Sequence, residues 1–202
     1  MHSQFSGILL AGGRSRRMGG GNKALLPIGR RSIAERVSDV LREIFPRTIV
    51  VTNSPEDFEY LGFPMFGDIV PGRGSLGGLY TGLKLCERDY GFLVACDMPF
   101  LNREVISYML QRAQDYDVVI PKVSGLPEPL HAIYSRRCLP YIEELLVEED
   151  LKIIHLFQNV NVLEIPEDDL KVFDPRLLFI INVNTPDDLR KARELAKDRG
   201  DE

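Results

Sequence analysis

Cysteine is scarce in this chain, and its spacing excludes several classes of protein. Among 202 residues there are three cysteines, Cys86, Cys96 and Cys138, and no two of them form a Cys-x-x-Cys pair. That pair is a frequent unit of structural zinc sites, so the sequence predicts no zinc motif of this kind. An odd number of cysteines without this spacing fits a reduced protein of the cytoplasm. We interpret Cys96 as a small buried thiol.

Long apolar runs and an overall positive charge are also missing. The first apolar run, residues 7–11, is too short for a signal peptide or a membrane span, so we predict a cytoplasmic protein without a membrane partner. The formal net charge of −5 argues against nucleic acid as a main partner, because nucleic-acid-binding domains are usually basic. Positive charge is instead concentrated in residues 14–31.

Short apolar segments with the length of buried strands recur along the chain and are bounded by glycine, proline and polar residues. We predict strands at Phe5–Leu10, Thr48–Thr52, Phe92–Cys96, Val118–Ile120, Leu130–Tyr134, Asn161–Ile165 and Leu178–Val183. Several of these segments are separated by sequences that are typical of helices, so strands and helices are expected to alternate.

The helices are predicted from their start signals and their apolar spacing. Ser32 and Glu35 form a capping-box pattern, and the helix that follows ends before Pro46. A second helix is expected from about Gly77 to Arg88, and a third, capped by Asn102, to about Gln114. The last begins at Thr185-Pro186-Asp187-Asp188, where a cap, a proline and acidic residues occur in the favoured order.

This alternation predicts a single α/β domain over residues 1–202, with a short flexible tail from about residue 197. Buried strands joined by helices favour a mostly parallel, Rossmann-like sheet with helices on both faces. In such sheets, ligands bind beyond the carboxyl ends of the strands. We therefore expect the loops after Leu10, Thr52 and Cys96 to form one site.

The loop after the first strand combines glycines with basic residues, which suits phosphate binding. It reads Leu10-Ala-Gly-Gly-Arg-Ser-Arg-Arg-Met-Gly-Gly-Gly-Asn-Lys23. A P-loop requires glycine before the lysine and a hydroxyl after it, whereas Asn22 and Ala24 occupy these positions. A dinucleotide-type glycine pattern does occur, but about nine residues too far from the strand. A solvated basic turn is the remaining alternative, and it does not explain why these residues are clustered.

Another pattern fits the loop much better. Leu10 to Gly19, followed by Lys23-Ala24-Leu25-Leu26, resembles the signature loop of nucleotidyltransferases with a glycosyltransferase-A-like fold. Within that group it is most similar to the molybdenum cofactor guanylyltransferases. The resemblance implies that Leu10, Ala11, Gly12, Gly13 and Lys23 bind the nucleotide, and that Arg17 and Lys23 act in catalysis.

An acidic partner for this basic loop is expected at Asp97, directly after the apolar segment Phe92–Cys96. A nucleoside triphosphate is usually bound together with a divalent cation, and Mg²⁺ prefers carboxylate and phosphate oxygens. The segment Cys96-Asp97-Met98-Pro99-Phe100 also resembles the family's metal-binding segment. We therefore predict Asp97 as a catalytic residue, a nucleotide contact and the ligand of a Mg²⁺ cofactor.

The resemblance extends to further segments, from about Gly7 to Leu189. It implies that Asn53, Asp68 and Gly77 lie against the nucleotide, and that Asn182 or Asn184 helps to hold the metal or the phosphates. Residues 125–134 match the segment that lines the acceptor side. Within it, His131 is either a general base or, the interpretation we favour, a packing residue of an apolar strand.

The function implied by this resemblance is transfer of GMP from GTP to the molybdopterin-type acceptor that carries molybdenum. Related enzymes use CTP, or act on cobinamide phosphate, methylerythritol phosphate or sugar phosphates, and Asn22 departs from the aspartate that is frequent in the family. A non-catalytic nucleotide-binding module is the alternative from another class. Delivery of an unstable cofactor also favours transient contact with the enzymes that precede and follow this one.

Overall fold

The computed structural model describes residues 3–12 and 22–200. The strands of this part of the chain are β1 Phe5–Leu10, β2 Pro27–Ile28, β3 Arg31–Ser32, β4 Thr48–Val51, β5 Met65–Phe66, β6 Tyr90–Ala95, β7 Val118–Val123, β8 Leu126–Pro127, β9 His131–Ser135 and β10 Val162–Pro166. Its α-helices are α1 Ile33–Ile44, α2 Gly74–Leu85, α3 Arg103–Leu110, α4 Leu139–Val147, α5 Glu167–Lys171 and α6 Pro186–Asp198. Several short 3₁₀ helices connect them.

The main sheet is mixed but mostly parallel, as predicted. Its strands lie in the order β10-β7-β9-β6-β1-β4-β5, and β8 pairs with β7 at one end. β1 pairs in parallel with β4 and β6, and β10 pairs in parallel with β7. β9 is inserted antiparallel between β6 and β7. The carboxyl ends of β1, β4 and β6 therefore lie together at one edge of the sheet.

Each face of the sheet is covered by helices, because the central strands present apolar side chains in both directions. In β1, Leu9 packs with the buried residues of α1 and α3, whereas Ile8 packs with those of α2 and α4. Both side chains are fully buried. Removing this apolar surface from water on both faces is the main stabilisation available to such a sheet, at roughly 25 cal/mol per Å².

A third apolar cluster fixes the hairpin β2–β3 against α6. Ile28 of the hairpin and Ala192 of α6 are both fully buried in this cluster. Arg193 of α6 donates a hydrogen bond from Nε to the Pro27 carbonyl oxygen at 3.0 Å. The hairpin follows directly on Lys23–Leu25, a 3₁₀ helix, so this packing also positions the segment that carries Lys23.

Helix α2 approaches β1 closely because its sheet-facing positions are glycines. A Cβ atom at Gly78 would lie 3.0 Å from Cδ2 of Leu10, and one at Gly82 would overlap Cγ2 of Ile8. Glycine therefore contributes small size here, not backbone freedom. At Gly78 the helix contacts Leu10, the last residue of β1, and the loop predicted to bind the nucleotide begins at this residue.

Most of the predicted elements are confirmed within a few residues. The strands β1, β4, β6, β7, β9 and β10 correspond to predicted strands. The predicted capping box at Ser32 and the predicted cap at Thr185 are both formed, the latter also as a capping box. α2 begins and ends three residues earlier than predicted, and α3 ends at Leu110 before a 3₁₀ turn. α4 and α5 were not predicted. No helix in the described ranges has the length and apolar character that crossing a bilayer requires.

The strand predicted at Leu178–Val183 is wrong. Leu178–Ile180 forms a 3₁₀ helix, preceded by Leu177 in the left-handed region with φ 49°. The carboxylate of Asp174 accepts the Phe179 backbone N–H at 3.0 Å and holds this turn. Phe179 packs in the cluster that contains Leu9, whereas Leu178 packs in the cluster that contains Ile28. The apolar run that suggested a strand therefore supplies side chains to two clusters and does not pair with a strand of the sheet among the described residues.

The close packing of α2 can be tested with Gly82→Ala. Alanine is the better helix former, yet its methyl group would overlap Ile8, so we expect a loss of roughly 1–3 kcal/mol in the free energy of unfolding. Urea denaturation measures the change. Ser75→Ala, at an exposed position of the same helix, is the control and should be nearly neutral. A Gly82→Ala protein as stable as the wild type would contradict the packing described here.

Candidate functional site

The carboxyl ends of β1, β4 and β6 converge as predicted. The Ala11 backbone N–H donates to the Val51 carbonyl at 2.9 Å, and the Cys96 N–H donates to the Leu10 carbonyl at 3.0 Å. These bonds hold the first residues after β1 between the two neighbouring strands. Gly12 is exposed beyond them, and a Cβ at this position would meet no described atom within 4 Å. Its backbone is therefore accessible at the edge of the sheet.

Lys23, Asp97 and Asn184 form a compact polar cluster at this edge. The Lys23 ammonium donates to Oδ2 of Asp97 at 2.5 Å and to Oδ1 of Asn184 at 2.5 Å. The side chains of Lys23 and Asp97 are only 18% and 15% exposed, so the pair is more strongly coupled than a surface ion pair. Three of the predicted site residues are thus brought together from distant parts of the sequence.

Asp97 is positioned by β6 and by the chain that precedes α6. It is the second residue after the end of β6, and its backbone carbonyl accepts the Val183 N–H at 2.9 Å. This bond places Asn184, the next residue, beside the carboxylate. Oδ1 of Asp97 is buried and has no hydrogen-bond partner among the described residues. A buried carboxylate oxygen without a partner is costly unless a ligand satisfies it.

The turn that carries Lys23 is capped by Asn22. The Asn22 Oδ1 accepts the Ala24 N–H at 3.1 Å, while its Nδ2 donates to Oδ2 of Asp57 at 2.9 Å. Aspartate, which is frequent at this position in the family that the loop resembles, would place a second carboxylate against Asp57. Asparagine keeps the cap, and its Nδ2 donates to the Asp57 carboxylate in place of that repulsion.

Asn53 and Asp68 bind each other at the outer part of the site. The Asn53 Nδ2 donates to Oδ2 of Asp68 at 2.8 Å, and the Asp68 N–H donates to Oδ1 of Asn53 at 3.0 Å. This pair connects the loops that follow β4 and β5. The structure therefore brings these two predicted residues together, with their amide and carboxylate groups in mutual contact.

The remaining predicted residues are placed differently. Gly77 is buried on α2, where a Cβ would lie 2.9 Å from Cβ of Arg73 and 3.1 Å from the Val70 carbonyl oxygen. The Asn182 Nδ2 donates to the Ile180 carbonyl at 3.1 Å, and within the described residues only Asn184 of the two asparagines contacts Lys23. Gly13 and Arg17 lie outside the described residues, so their assignment remains a prediction.

His131 lies in the core behind this cluster. Its ring is fully buried, with centroids 5.0 Å from Phe92 and 4.8 Å from Phe179. Neither ring nitrogen has a hydrogen-bond partner in the part of the chain that is described. Burial lowers the pKa of His131 to about 3, so the ring is neutral near neutral pH. The structure favours the packing role over that of a general base.

Cys96 is a buried packing residue as well. Burial, together with the neighbouring charge of Asp97, raises the pKa of its thiol to about 12. The thiolate, the nucleophilic form, is therefore scarce near neutral pH. The three cysteines are all free and buried.

Glu128 is a carboxylate of this region that the sequence interpretation did not single out. It lies between β8 and β9 and is half-buried. Burial raises its pKa, the Leu130 N–H opposes that effect, and the charge of Asp97 contributes to the rise. The sequence did offer a signal for Glu128. It is an acidic residue between Pro127 and Pro129, in the segment that the resemblance assigns to the acceptor side.

The mixed sheet, the helices on both faces and the basic and acidic groups at its carboxyl edge define a protein of the nucleotidyltransferase fold class. The family model for the MobA-like NTP transferase domain matches residues 7–161. The chain belongs to this family.

Relatives and solved structures agree with this assignment. The chain is 38% identical over 193 residues to "Molybdenum cofactor guanylyltransferase" of Desulfosudis oleivorans, covering 95% of this chain and 96% of that protein. It is 39% identical over 194 residues to "Probable molybdenum cofactor guanylyltransferase" of Pelotomaculum thermopropionicum, covering 96% and 94%. The crystal structure of molybdopterin-guanine dinucleotide biosynthesis protein A from Archaeoglobus fulgidus is similar with a TM-score of 0.82 and 28% identity, covering 96% of this chain and 99% of that chain.

The packing role of His131 can be tested by the pH dependence of stability. The unfolded chain binds a proton at His131 below about pH 6.5, whereas the folded chain does so only near pH 3. Stability should therefore fall as pH decreases through this window, by up to about 1.4 kcal/mol per pH unit from this residue. His131→Phe and His131→Leu should reduce that loss, as measured by urea unfolding at pH 7 and pH 5. An unchanged pH dependence in both variants would show that His131 does not cause it.

Proposed function

We propose that the protein is a nucleotidyltransferase that transfers GMP from GTP to the molybdopterin form of the molybdenum cofactor, producing molybdopterin guanine dinucleotide and pyrophosphate. The observation that carries this proposal is the convergence of Lys23, Asp97 and Asn184 beside the exposed backbone of Gly12. The names of the relatives supply the nucleotide and the acceptor. We also propose a cytoplasmic location, which suits three free cysteines.

The reaction requires positioning and charge neutralisation more than a strong base. A phosphate oxygen of the acceptor forms a bond to the α-phosphorus of GTP, and the bond from that phosphorus to the bridging oxygen breaks as pyrophosphate leaves. The attacking phosphate is already an anion near neutral pH. Bringing two anions together is therefore the main difficulty, and electrostatic pre-organisation can supply the stabilisation.

Lys23 is proposed to hold the triphosphate. Its ammonium group is bound to two oxygen ligands in this structure, and a triphosphate can replace one of these contacts with a phosphate oxygen. As a point charge, lysine suits phosphate without requiring one geometry. The exposed Gly12 backbone, with Gly13 and Arg17 by resemblance, supplies the rest of this phosphate site.

The residues at the cluster also fit Mg²⁺. The buried Oδ1 of Asp97 has no partner among the described residues, and Asn184 offers an amide oxygen. Hard oxygen donors of these two types are the ligands that Mg²⁺ prefers. A bound Mg²⁺ would neutralise phosphate charge, and Asp97 with Asn184 would hold it.

The proposed reaction is tested by following pyrophosphate release with molybdate-loaded molybdopterin and, separately, GTP, CTP or ATP in the presence of Mg²⁺. We expect turnover with GTP. Turnover with CTP alone would reject the guanylyl assignment and favour a cytidylyl relative. Triphosphate binding without turnover with any of the three would instead identify a nucleotide-binding module.

Lys23→Ala should lower turnover by roughly 100-fold and weaken GTP binding, because the ammonium no longer neutralises the triphosphate. Lys197→Ala, at an exposed position of α6, is the matched control and should leave both quantities unchanged. Steady-state kinetics and calorimetric GTP titration measure the two effects. Near-normal values for Lys23→Ala would remove this lysine from the site.

The Mg²⁺ site is tested with Asp97→Asn, which keeps the shape of the side chain and removes its charge. The variant should need a higher Mg²⁺ concentration for half-maximal activity, and Mg²⁺ should stabilise it less in thermal unfolding with GTP present. The melting temperature without ligands reports whether the fold is intact. The same Mg²⁺ titration in variant and wild type would place the metal elsewhere.

A further inference from the structure

Glu128 lies on the opposite side of β6 from the loops predicted to bind the nucleotide. Those loops follow β1 and β4, which are the next strands on one side of β6. On the other side is β9, and the Ala95 N–H at the end of β6 donates to the Leu130 carbonyl at 3.1 Å. This bond brings the segment that carries Glu128 to the same sheet edge as Asp97.

The backbone around Glu128 is fixed by hydrogen bonds. The Glu128 N–H donates to the Pro121 carbonyl at 3.0 Å, and the His131 N–H donates to the Glu128 carbonyl at 3.1 Å. The prolines on either side of Glu128 restrict the chain further. The carboxylate is therefore presented from a rigid turn and not from a loose loop.

The half-buried carboxylate of Glu128 forms one hydrogen bond to the described residues. Its Oε1 accepts the Leu130 N–H at 3.4 Å, which is at the weak limit of a hydrogen bond. Within residues 3–12 and 22–200, no lysine, arginine or histidine forms an ion pair with it. A half-buried carboxylate close to a second carboxylate costs free energy, and such groups in clefts are frequently functional.

We propose that Glu128 accepts hydrogen bonds from the N–H groups of the pterin ring of the acceptor substrate. A carboxylate accepts two parallel hydrogen bonds from the adjacent ring N–H and 2-amino group of a 2-amino-4-oxopyrimidine, in the way it pairs with a guanidinium. The pterin of the acceptor contains this group. The inference rests on the proposed function for the identity of the acceptor.

Guanine carries the same arrangement of donors, so the nucleotide is the competing ligand of identical chemistry. The position of Glu128 favours the acceptor, because β6 and Asp97 lie between it and the loops after β1 and β4. On this assignment, Asp97 lies at the boundary between the two substrates, with the nucleotide on one side and the pterin on the other.

Binding of free pteridines tests the proposal without requiring turnover. Pterin carries the 2-amino group, whereas lumazine has an oxygen in its place, and the fluorescence of both reports binding. The wild type should bind pterin about 10- to 100-fold more tightly than lumazine, and Glu128→Gln should lose that preference. Glu144→Gln, at an exposed position of α4, is the control and should retain it. A merely structural role of Glu128 would not alter the ratio of the two affinities.

Two results would overturn the assignment: equal or no binding of the two pteridines by the wild type, or a full preference for pterin in Glu128→Gln. Parallel titrations with GTP and inosine triphosphate, which lacks the 2-amino group, examine the competing ligand. A preference for GTP that Glu128→Gln abolishes, with pterin binding unchanged, would assign Glu128 to guanine. Because these are binding measurements, a failure of the guanylyl transfer assay would be seen separately from a failure of this inference.

Discussion

The contact between Lys23 and Asp97 joins the two segments on which the site depends, separated by 74 positions in the sequence. One segment leads from β1 into the hairpin β2–β3, and the other ends β6. These strands are direct parallel neighbours in the sheet, so their carboxyl ends lie side by side. Asn184 adds a third segment, because the Val183 N–H is bound to the Asp97 carbonyl. Three features therefore hold the site together: the pairing of β1 with β6, the apolar cluster between the hairpin β2–β3 and α6, and the ion pair of Lys23 with Asp97.

The sequence was sufficient for most of the fold because its signals are local. Buried strands such as β1 and β6 are short and mostly apolar, and the caps at Ser32 and Thr185 act within four residues. Leu178–Val183 has the same apolar character, but its side chains serve two clusters and Asp174 turns the backbone. Such competition between two apolar clusters is a tertiary effect that hydrophobic periodicity cannot predict. The antiparallel direction of β9 is a second tertiary feature of this kind.

The site could be predicted in part. Asp97 and Lys23 have charges that suit each other and positions that follow strands, so their proximity was expected from the topology. Asn184 contacts Lys23, while the Asn182 side chain is bound to the Ile180 carbonyl. The backbone hydrogen bonds that place Asn184, from Val183 to Asp97 and from Asn184 to Asp188, leave no trace in the residue pattern. Glu128 was missed because its significance arises from burial next to Asp97 and not from spacing.

The antiparallel insertion of β9 divides the sheet edge into two independently variable halves. The loops after β1 and β4 belong to the parallel part, whereas residues 126–130 are supported by β7 and β9. On the proposed assignment, changes at residues 126–130 would alter acceptor contacts, whereas Lys23 and Gly12 belong to segments on the other side of β6, the strand that both halves share. If the acceptor is bound as proposed, residues 126–130 are the place to redesign acceptor choice, because they are supported by strands other than those that lead into the Lys23 and Gly12 segments.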